Sequence, residues 1–432
     1  MKIIKSAVAA LLLITISLCV SAQNGIMTPY SQFGYGILRD NATSAQQQMG
    51  GVGYAMNSGR QINVMNPASY ARTDSLTFLF DMGLDMTFLW TTEGTGSDRI
   101  SENNIGGGLN YITMQFPLSK RIGMSLGILP YSSVGYAFGS TIDNGYTTRN
   151  GSGSINQLYV GIAGSLLQSP TFGNLSLGVN ISYLFGSTTN DVYAVTASGS
   201  TSLYSKELRV TDFHIDAGLQ YSIPIGRTDI LTLGFAYTPG KDLLGKFHDY
   251  AYDVDTNTTE NDETFKTHKY FSLASSYGAG INYNYAQKLM IEADFTYQPW
   301  KDVKYLQYNR QNQPEAVTGM FANRWKVALG AQYQPSFRGS YLKRIQYRLG
   351  AFFDRDYMVV RQNATGLTNN VREYGVTLGL GLPVPGFKSI ISLGLGWMQR
   401  RAYPTALIKE DYFNITLGIN FNETWFRKSK IY

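Results

Sequence analysis

Apolar and polar residues alternate along many stretches of this 432-residue chain. Every even-numbered residue of segment 76–90 is apolar, whereas the odd positions include Thr77 and Asp85. Segments 175–185 and 413–421 repeat the pattern. Because successive side chains of a strand point to opposite faces, a period of two predicts strands with one apolar and one polar face.

Fourteen segments carry this pattern or approach it, so the chain is predicted to be all-β. The predicted strands cover 76–90, 109–117, 122–130, 156–168, 175–186, 213–225, 230–239, 270–284, 289–299, 322–334, 344–356, 372–382, 389–398 and 409–421.

The connections between these strands alternate in length. Those after odd-numbered strands are long and those after even-numbered strands are short, which is typical of outer-membrane barrels with external loops and periplasmic turns. We therefore predict a 14-stranded antiparallel transmembrane β-barrel over residues 76–421. An even strand count places both termini in the periplasm of a Gram-negative bacterium. A soluble β-sandwich is the alternative, but a sandwich does not sort its loops in this way.

The first twenty-two residues have the pattern of a secretory signal peptide. Lys2 and Lys5 precede an apolar run over 7–20, and small residues lead to a predicted cleavage site after Ala22. A lipoprotein signal at Cys19 is the rival interpretation, but bulky Leu18 precedes it. Cleavage would lower the formal net charge from +6 to +4.

Composition supports a membrane location. Only 15% of residues are charged, while the chain has 31 tyrosines, 22 phenylalanines and 45 glycines. Aromatic residues of outer-membrane barrels form girdles at the two membrane interfaces. The small positive charge, with no basic cluster, argues against a nucleic-acid partner.

Residues 23–75 lack the strand pattern and are predicted to form a hatch or plug that enters the lumen from the periplasm. Parity places glycines on the inner face of the last three strands, where they leave room for such a segment. These are Gly375, Gly379, Gly381, Gly394, Gly396 and Gly418.

Parity also places charges of both signs in the lumen. We expect a salt-bridge network that steadies the wall or the plug, with a selectivity filter as the alternative. Its members would be Glu292, Asp294, Arg324, Lys326, Arg344 and Arg348.

Several short motifs resemble the FadL-like family of outer-membrane transporters for long-chain fatty acids and hydrocarbons. The motifs are Met49 to Gly53, Asn66-Pro67-Ala68, Gly127 to Tyr131, Leu231 to Pro239, and Tyr277 to Tyr283 leading through Asp294 to Trp300. The resemblance implies fourteen strands and an N-terminal hatch that occludes the lumen.

In that family a kink in the third strand opens a lateral exit, and Gly127 and Pro130 would form it here. Proline lacks a ladder donor and glycine packs poorly, which agrees with weak pairing at this point. Pro130 could equally end the strand at an interface. Asn66, Pro67 and Ala68 would be the hatch motif, with an ordinary turn as the alternative.

Residues 422–432 follow the last predicted strand and include Arg427, Lys428 and Lys430. We expect a basic periplasmic tail that folds back at the rim or contacts a partner. Barrels that resemble this family also serve as non-transporting subunits of secretion or barrel-assembly complexes.

Motifs of enzymes and metal sites are incomplete. The G-x-S-x-G match at 123–127 lies inside a predicted strand, where the strained turn of a nucleophile elbow cannot form. A calcium-loop start at Asp253, Asp255 and Asn257 lacks the required glycine and glutamate. We expect no enzyme activity, catalytic residue, metal or cofactor.

The resemblance implies passive uptake of small hydrophobic molecules resembling long-chain fatty acids through a hatch-plugged lumen. The alternative is a non-transporting structural subunit of an outer-membrane secretion or barrel-assembly complex. Expected partners are outer-membrane lipids, hydrophobic small molecules, and outer-membrane or periplasmic proteins.

Overall fold

A computed structural model describes residues 27–94, 99–142, 144–361, 368–405 and 407–424. Fourteen long strands form an antiparallel barrel, and we number them β1 to β14. They are Thr77–Glu93, Ile100–Pro117, Ile122–Ile142, Gly145–Ser169, Gly173–Thr196, Thr201–Ile225, Asp229–Thr238, Ser276–Tyr285, Leu289–Gln298, Arg324–Tyr333, Gln346–Arg361, Thr368–Pro383, Ile390–Tyr403 and Ile408–Thr424.

Each barrel strand pairs with the strands before and after it in the chain, and β14 closes the barrel against β1. Each predicted strand corresponds to one of the fourteen, so the predicted fold class is confirmed. Helix is confined to short turns within the described residues, and none of these helices is long and apolar enough to cross a membrane.

The prediction of long loops after odd-numbered strands holds for β7 and β9 and is wrong for β1, β3, β5, β11 and β13, because these strands and their partners extend into the expected loops. β3 continues to Ile142 and β4 begins at Gly145, so strand fills most of the expected loop. The first part of β4 is polar on both faces, so no period of two marks it, whereas β3 keeps apolar residues at Val134, Tyr136 and Phe138 beyond its expected end at Pro130. We call the end with these hairpins the hairpin end and the opposite end the turn end.

Large apolar side chains cover the outer wall, as a membrane-facing surface requires. One aromatic row crosses four strands, where Tyr237, Tyr277, Tyr297 and Trp325 stand directly opposite one another. Tyr333 and Tyr347 are paired nearer the turn end. The structure thus places outward aromatic residues at two levels of the wall.

Residues 27–76 lie inside the barrel, and we call them the N-terminal segment. We expected this segment to enter from the end where β1 begins. Its first described residues lie instead at the hairpin end, where the Thr28 hydroxyl donates to Glu410 at 2.6 Å. The chain then descends, circles the inner wall and reaches β1 at the turn end.

An aromatic core closes the hairpin end. Tyr35 of the N-terminal segment packs against Phe271 and Trp300, which belong to the two longest connections. Its backbone N–H donates to the Tyr357 hydroxyl at 3.0 Å, and its own hydroxyl donates to the Ser272 carbonyl at 2.8 Å. The core therefore holds the N-terminal segment and both connections together.

The connection between β7 and β8 also carries a hairpin of its own. Its strand Gly245–Asp253 pairs with the half of β6 nearer the hairpin end and with Thr258–Lys266. Smaller pairings join Lys241–Asp242 to Ser272–Leu273, and Tyr305–Tyr308 to Pro314–Val317.

The last strand runs further than predicted. Asn422 and Glu423, assigned to a tail, continue β14 and pair with Leu79 and Phe78 of β1. The remaining tail residues 425–432 and the predicted signal peptide lie outside the described residues.

Candidate functional site: the N-terminal segment and the barrel wall

Glycines line the inner wall wherever the N-terminal segment passes. We call the following residues the glycine belt: Gly83, Gly123, Gly161, Gly178, Gly218, Gly234, Gly280, Gly330, Gly350, Gly379, Gly394 and Gly418. Every described barrel strand except β2 and β9 contributes one. Five pairs face each other across neighbouring strands: 83 with 418, 178 with 218, 234 with 280, 330 with 350, and 379 with 394.

The glycine belt is shaped by close backbone approach. A Cβ at Gly350 would lie 2.1 Å from the backbone nitrogen of Gly50, and one at Gly178 would lie 2.4 Å from the carbonyl carbon of Pro67. No other residue fits these positions without moving the N-terminal segment. Of the six glycines expected to make room, Gly379, Gly394 and Gly418 do so, whereas Gly375, Gly381 and Gly396 face other wall residues.

On β9, two buried carboxylates take the place of a belt glycine. Asp294 accepts the backbone N–H groups of Gly53 at 2.6 Å and Tyr54 at 3.0 Å. Glu292 accepts from the Ala55 N–H at 2.9 Å. These bonds satisfy backbone donors that have no secondary-structure partner, so the wall fixes this turn of the N-terminal segment.

Asn66, Pro67 and Ala68 are fully buried against β5, β6 and β7. The Asn66 side-chain amide donates to the Tyr54 carbonyl at 2.7 Å and to the wall carbonyl of Leu219 at 3.2 Å. Its oxygen accepts the Ala68 N–H and thereby caps the short helix Pro67–Arg72. The motif thus joins two parts of the N-terminal segment to the wall.

The expected salt-bridge network has a different membership. Arg324 pairs with Asp354 at 2.6 Å and with Asp40 of the N-terminal segment at 3.2 Å, while Lys326 reaches Asp40 at 2.5 Å. Burial disfavours the charged form of Asp40, but Lys326 and Arg324 prevail and hold its pKa well below the ordinary range.

Glu292 and Asp294 form no ion pair with these cations among the described residues, and each accepts backbone N–H groups instead. Arg348 instead donates to Gln48 at 2.8 Å and to Ser392 at 2.9 Å. Arg344 ends a short helix, Tyr341–Arg344, in the turn between β10 and β11. The alternation of residues along strands could not identify Asp40 as a member of this network, because Asp40 lies outside any strand.

Between the glycine belt and the hairpin end, the described residues enclose two cavities of note. One measures about 210 Å³ and is lined by charged residues that include Asp40, Lys326, Glu373 and Arg400. The other measures about 120 Å³. Its lining includes Arg39, His214, Asp216, Lys241 and Arg324. Both are smaller and more polar than the pockets that usually hold apolar ligands.

The seam between β2 and β3 is short. Only six residue pairs join the two strands, from Pro117 with Gly123 to Ile112 with Ile128. Gly127 is within this ladder, and Pro130 lies two residues beyond its end and pairs with Asn156 of β4. A register shift follows Pro130 on the β4 side.

The other candidate motifs have structural contacts. Ser125 of the G-x-S-x-G match lies within β3 and contacts the Met114 carbonyl and the Tyr159 hydroxyl. Asp253 caps an exposed turn, where backbone donation from Thr256 lowers its pKa. Within the described ranges, no three acidic, cysteine or histidine side chains are grouped as metal ligands.

Solved structures of hydrocarbon transporters share the fold. The toluene transporter TodX of Pseudomonas putida aligns over 90% of this chain and 100% of its own, with a TM-score of 0.60 and 14% identity. The toluene transporter TbuX of Ralstonia pickettii aligns over 88% of this chain and 98% of its own, with a TM-score of 0.55 and 13% identity. A Pseudomonas aeruginosa FadL homologue aligns over 90% of this chain and 100% of its own, with a TM-score of 0.56 and 13% identity.

The chain therefore has the FadL-type β-barrel fold. It belongs to the BamG family, whose model matches residues 3–432. No curated protein matches the sequence.

Proposed function

We propose that this chain is a closed, non-transporting structural subunit of an outer-membrane complex for secretion or barrel assembly. The observation that carries this proposal is the complete circuit of the N-terminal segment against the glycine belt. Contacts to twelve strands, with buried hydrogen bonds to β9, make this segment part of the barrel rather than a loosely held gate.

The chemistry of the lumen supports the same proposal. A hydrocarbon gains little in a cavity lined by charges, because those charges lose hydration without gaining a partner. The apolar side chains at the hairpin end are packed into the aromatic core around Tyr35. Membership of the BamG family is consistent with a subunit role.

We infer that the turn end faces the periplasm, because outer-membrane barrels have short periplasmic turns and longer external hairpins. The N-terminal segment would then act as a plug whose last residues lie on the periplasmic side. Residues 425–432 would extend into the periplasm as the basic tail.

Passive uptake of small hydrophobic molecules is the second candidate, and the short β2–β3 seam favours it. A molecule captured at the hairpin end would pass a displaced N-terminal hatch and leave sideways near Gly127 and Pro130. The FadL-type fold supports this route, since TodX and TbuX are toluene transporters.

A mild-detergent purification of the tagged protein from native outer membranes separates the two candidates. Proteins and extracted lipids are both identified by mass spectrometry. A structural subunit yields partner proteins at fixed stoichiometry and a lumen without hydrocarbon. A lone barrel with bound fatty acids would contradict the subunit proposal and support uptake.

Transport is tested directly by measuring uptake into liposomes that contain the purified protein. We expect no uptake of toluene or fatty acid above that of liposomes lacking the protein. Uptake that disappears when the N-terminal segment is cross-linked to the wall would support the transporter instead.

A further inference from the structure

The two strands at the short seam differ in what covers their facing edges. On β3, residues Ile37–Leu38 pair with Ser132 and Ser133 as an added strand. The carbonyls of Tyr131 and Gly135 accept N–H groups of the N-terminal segment at 2.9 and 2.7 Å. The chain therefore covers this edge itself.

No described strand pairs with the β3-facing edge of β2 between Ile100 and Tyr111. On its other side, β2 pairs with β1 over this range, with one register shift at Asn110. Because about every second residue of a strand directs its N–H and C=O to each side, β2 presents a row of ladder groups that have no strand partner among the described residues. Phe88 of β1, which packs against Phe413 of β14 on the outer wall, stands opposite Ile105, so 105–111 lies at membrane depth.

Unpaired backbone groups are costly in lipid, where no water can satisfy them. Natural sheets protect free edges with charges, prolines or bulges directed outward. Both strands have a register shift, β3 after Pro130 and β2 at Asn110, but residues 103–109 of β2 contain no charge, proline or bulge. Two of the exposed side chains there are large and apolar, with Ile105 65% and Leu109 53% exposed.

From these observations we propose that the free edge of β2 binds an extended, uncharged strand of a partner polypeptide by β-strand addition. This inference rests on the proposed subunit function and names its contact surface. Main-chain hydrogen bonds would supply the affinity, as in other strand additions. The fold already uses the same geometry on β3, where Ile37–Leu38 is the added strand.

The glycine run gives the partner strand a recognisable chemistry. Gly107 alternates with Ile105 and Leu109 on the outward face, and it has no side chain to cover its neighbours. A large apolar or aromatic residue on the partner would pack over this position, as such residues do opposite sheet glycines. We therefore expect an aromatic residue at the matching position of the partner strand.

Photocross-linking in native outer membranes tests the proposal. A benzophenone amino acid replaces Ile105 or Leu109, and the matched controls carry it at Val160 or Ile162, which are outward-facing on fully paired β4. We expect Ile105 and Leu109 to label one partner segment at sites about four residues apart, with no such adduct from the controls.

Hydrogen exchange supplies a second measurement. Amides of 103–111 that face β3 should exchange at least about tenfold more slowly in the native complex than in the purified chain, since pairing protects them. Amides of β4 should not change.

Each failure has a distinct meaning. If a partner co-purifies but labelling at Ile105 and Leu109 yields only lipid or a second copy of this chain, the edge proposal is wrong and the subunit function stands. If no partner co-purifies at all, the proposed function fails and the edge proposal fails with it.

Discussion

Two seams of this barrel lie on either side of the β1–β2 pair. At the closing seam, seventeen residue pairs join β1 to β14 in unbroken register. At the β2–β3 seam, six pairs form before the ladder ends at Ile128. Both seams join antiparallel strands of comparable length, so strand length does not explain the difference.

The closing seam is supported from inside the barrel. Gly83 and Gly418 face each other across it and contact Ser44 of the N-terminal segment. Side chains also bridge it, because Asn420 donates to Asp81 at 3.0 Å. At the β2–β3 seam the N-terminal segment occupies the edge of β3 itself. The same segment thus stabilises one seam and limits the other.

Proline substitution should give the largest contrast between the seams. At Ile415 or Thr416 of β14, either proline removes a ladder bond, and we expect the free energy of unfolding to fall by about 3 kcal/mol. At Asn104 and Ile105 of β2, only one of the two neighbouring prolines should have that effect, because only one of the two N–H groups faces β1. Urea unfolding in detergent, followed by tryptophan fluorescence, measures both pairs.

Equal losses at both β2 positions in the purified chain would show that its outer edge is already paired. That result would remove the contrast between the seams.

Replacement of Gly83 by alanine should strain the packing beside the closing seam, where Tyr111 of β2 lies against β1. Its new Cβ would lie 2.2 Å from Cε1 of Tyr111, a buried ring whose hydroxyl contacts Ser44 and Asp81. The ring cannot move without losing these bonds, so we expect a loss of about 2 kcal/mol in the free energy of unfolding.

The matched control is Gly396→Ala, because the nearest atom to its new Cβ is 3.5 Å away. We expect a change within about 0.5 kcal/mol for this variant. A Gly83→Ala variant as stable as the control would contradict the proposed role of close packing at this seam.

Asp40 ties the strand that covers β3 to the opposite wall through Arg324 and Lys326. Asp40→Asn should lower the free energy of unfolding by about 1 kcal/mol at pH 7. It should also speed amide exchange at 131–135. The conservative variant keeps the side-chain size and removes the charge.

The pH dependence follows from the direction of the pKa shift. The pKa of folded Asp40 is lowered, so its stabilising contribution is complete above the ordinary carboxyl value near about 4 and declines as the pH falls below it. The difference between wild type and Asp40→Asn should therefore shrink on acidification. A constant difference down to about pH 2 would contradict this assignment.

Sequence periodicity located every barrel strand because membrane burial forces one apolar face on each. It could not locate the upper half of β4, where Gly145 to Ile155 has polar residues on both faces. The belt glycines of β12 to β14 were recognised from parity. Those of other strands were not, because their role depends on where the N-terminal segment passes.

The path of the N-terminal segment was beyond sequence reasoning for a related reason. Its contacts are single hydrogen bonds to distant residues, such as Gly53 to Asp294, and no periodic signal encodes them. Parity did place Asp294 on the inner face, but an inward carboxylate pairs equally well with a cation or with backbone N–H groups.

The smallest effect is expected from Pro130→Ala. If proline alone ended the β2–β3 ladder, alanine would restore an N–H donor and lengthen the seam. The N-terminal segment, however, still covers Tyr131 to Gly135 of β3. We therefore expect a change within about 0.5 kcal/mol and no new amide protection on β2 at 105–111. Hydrogen exchange measures this directly. Protection gained by the variant would show that Pro130, rather than the covering segment, sets the end of the seam.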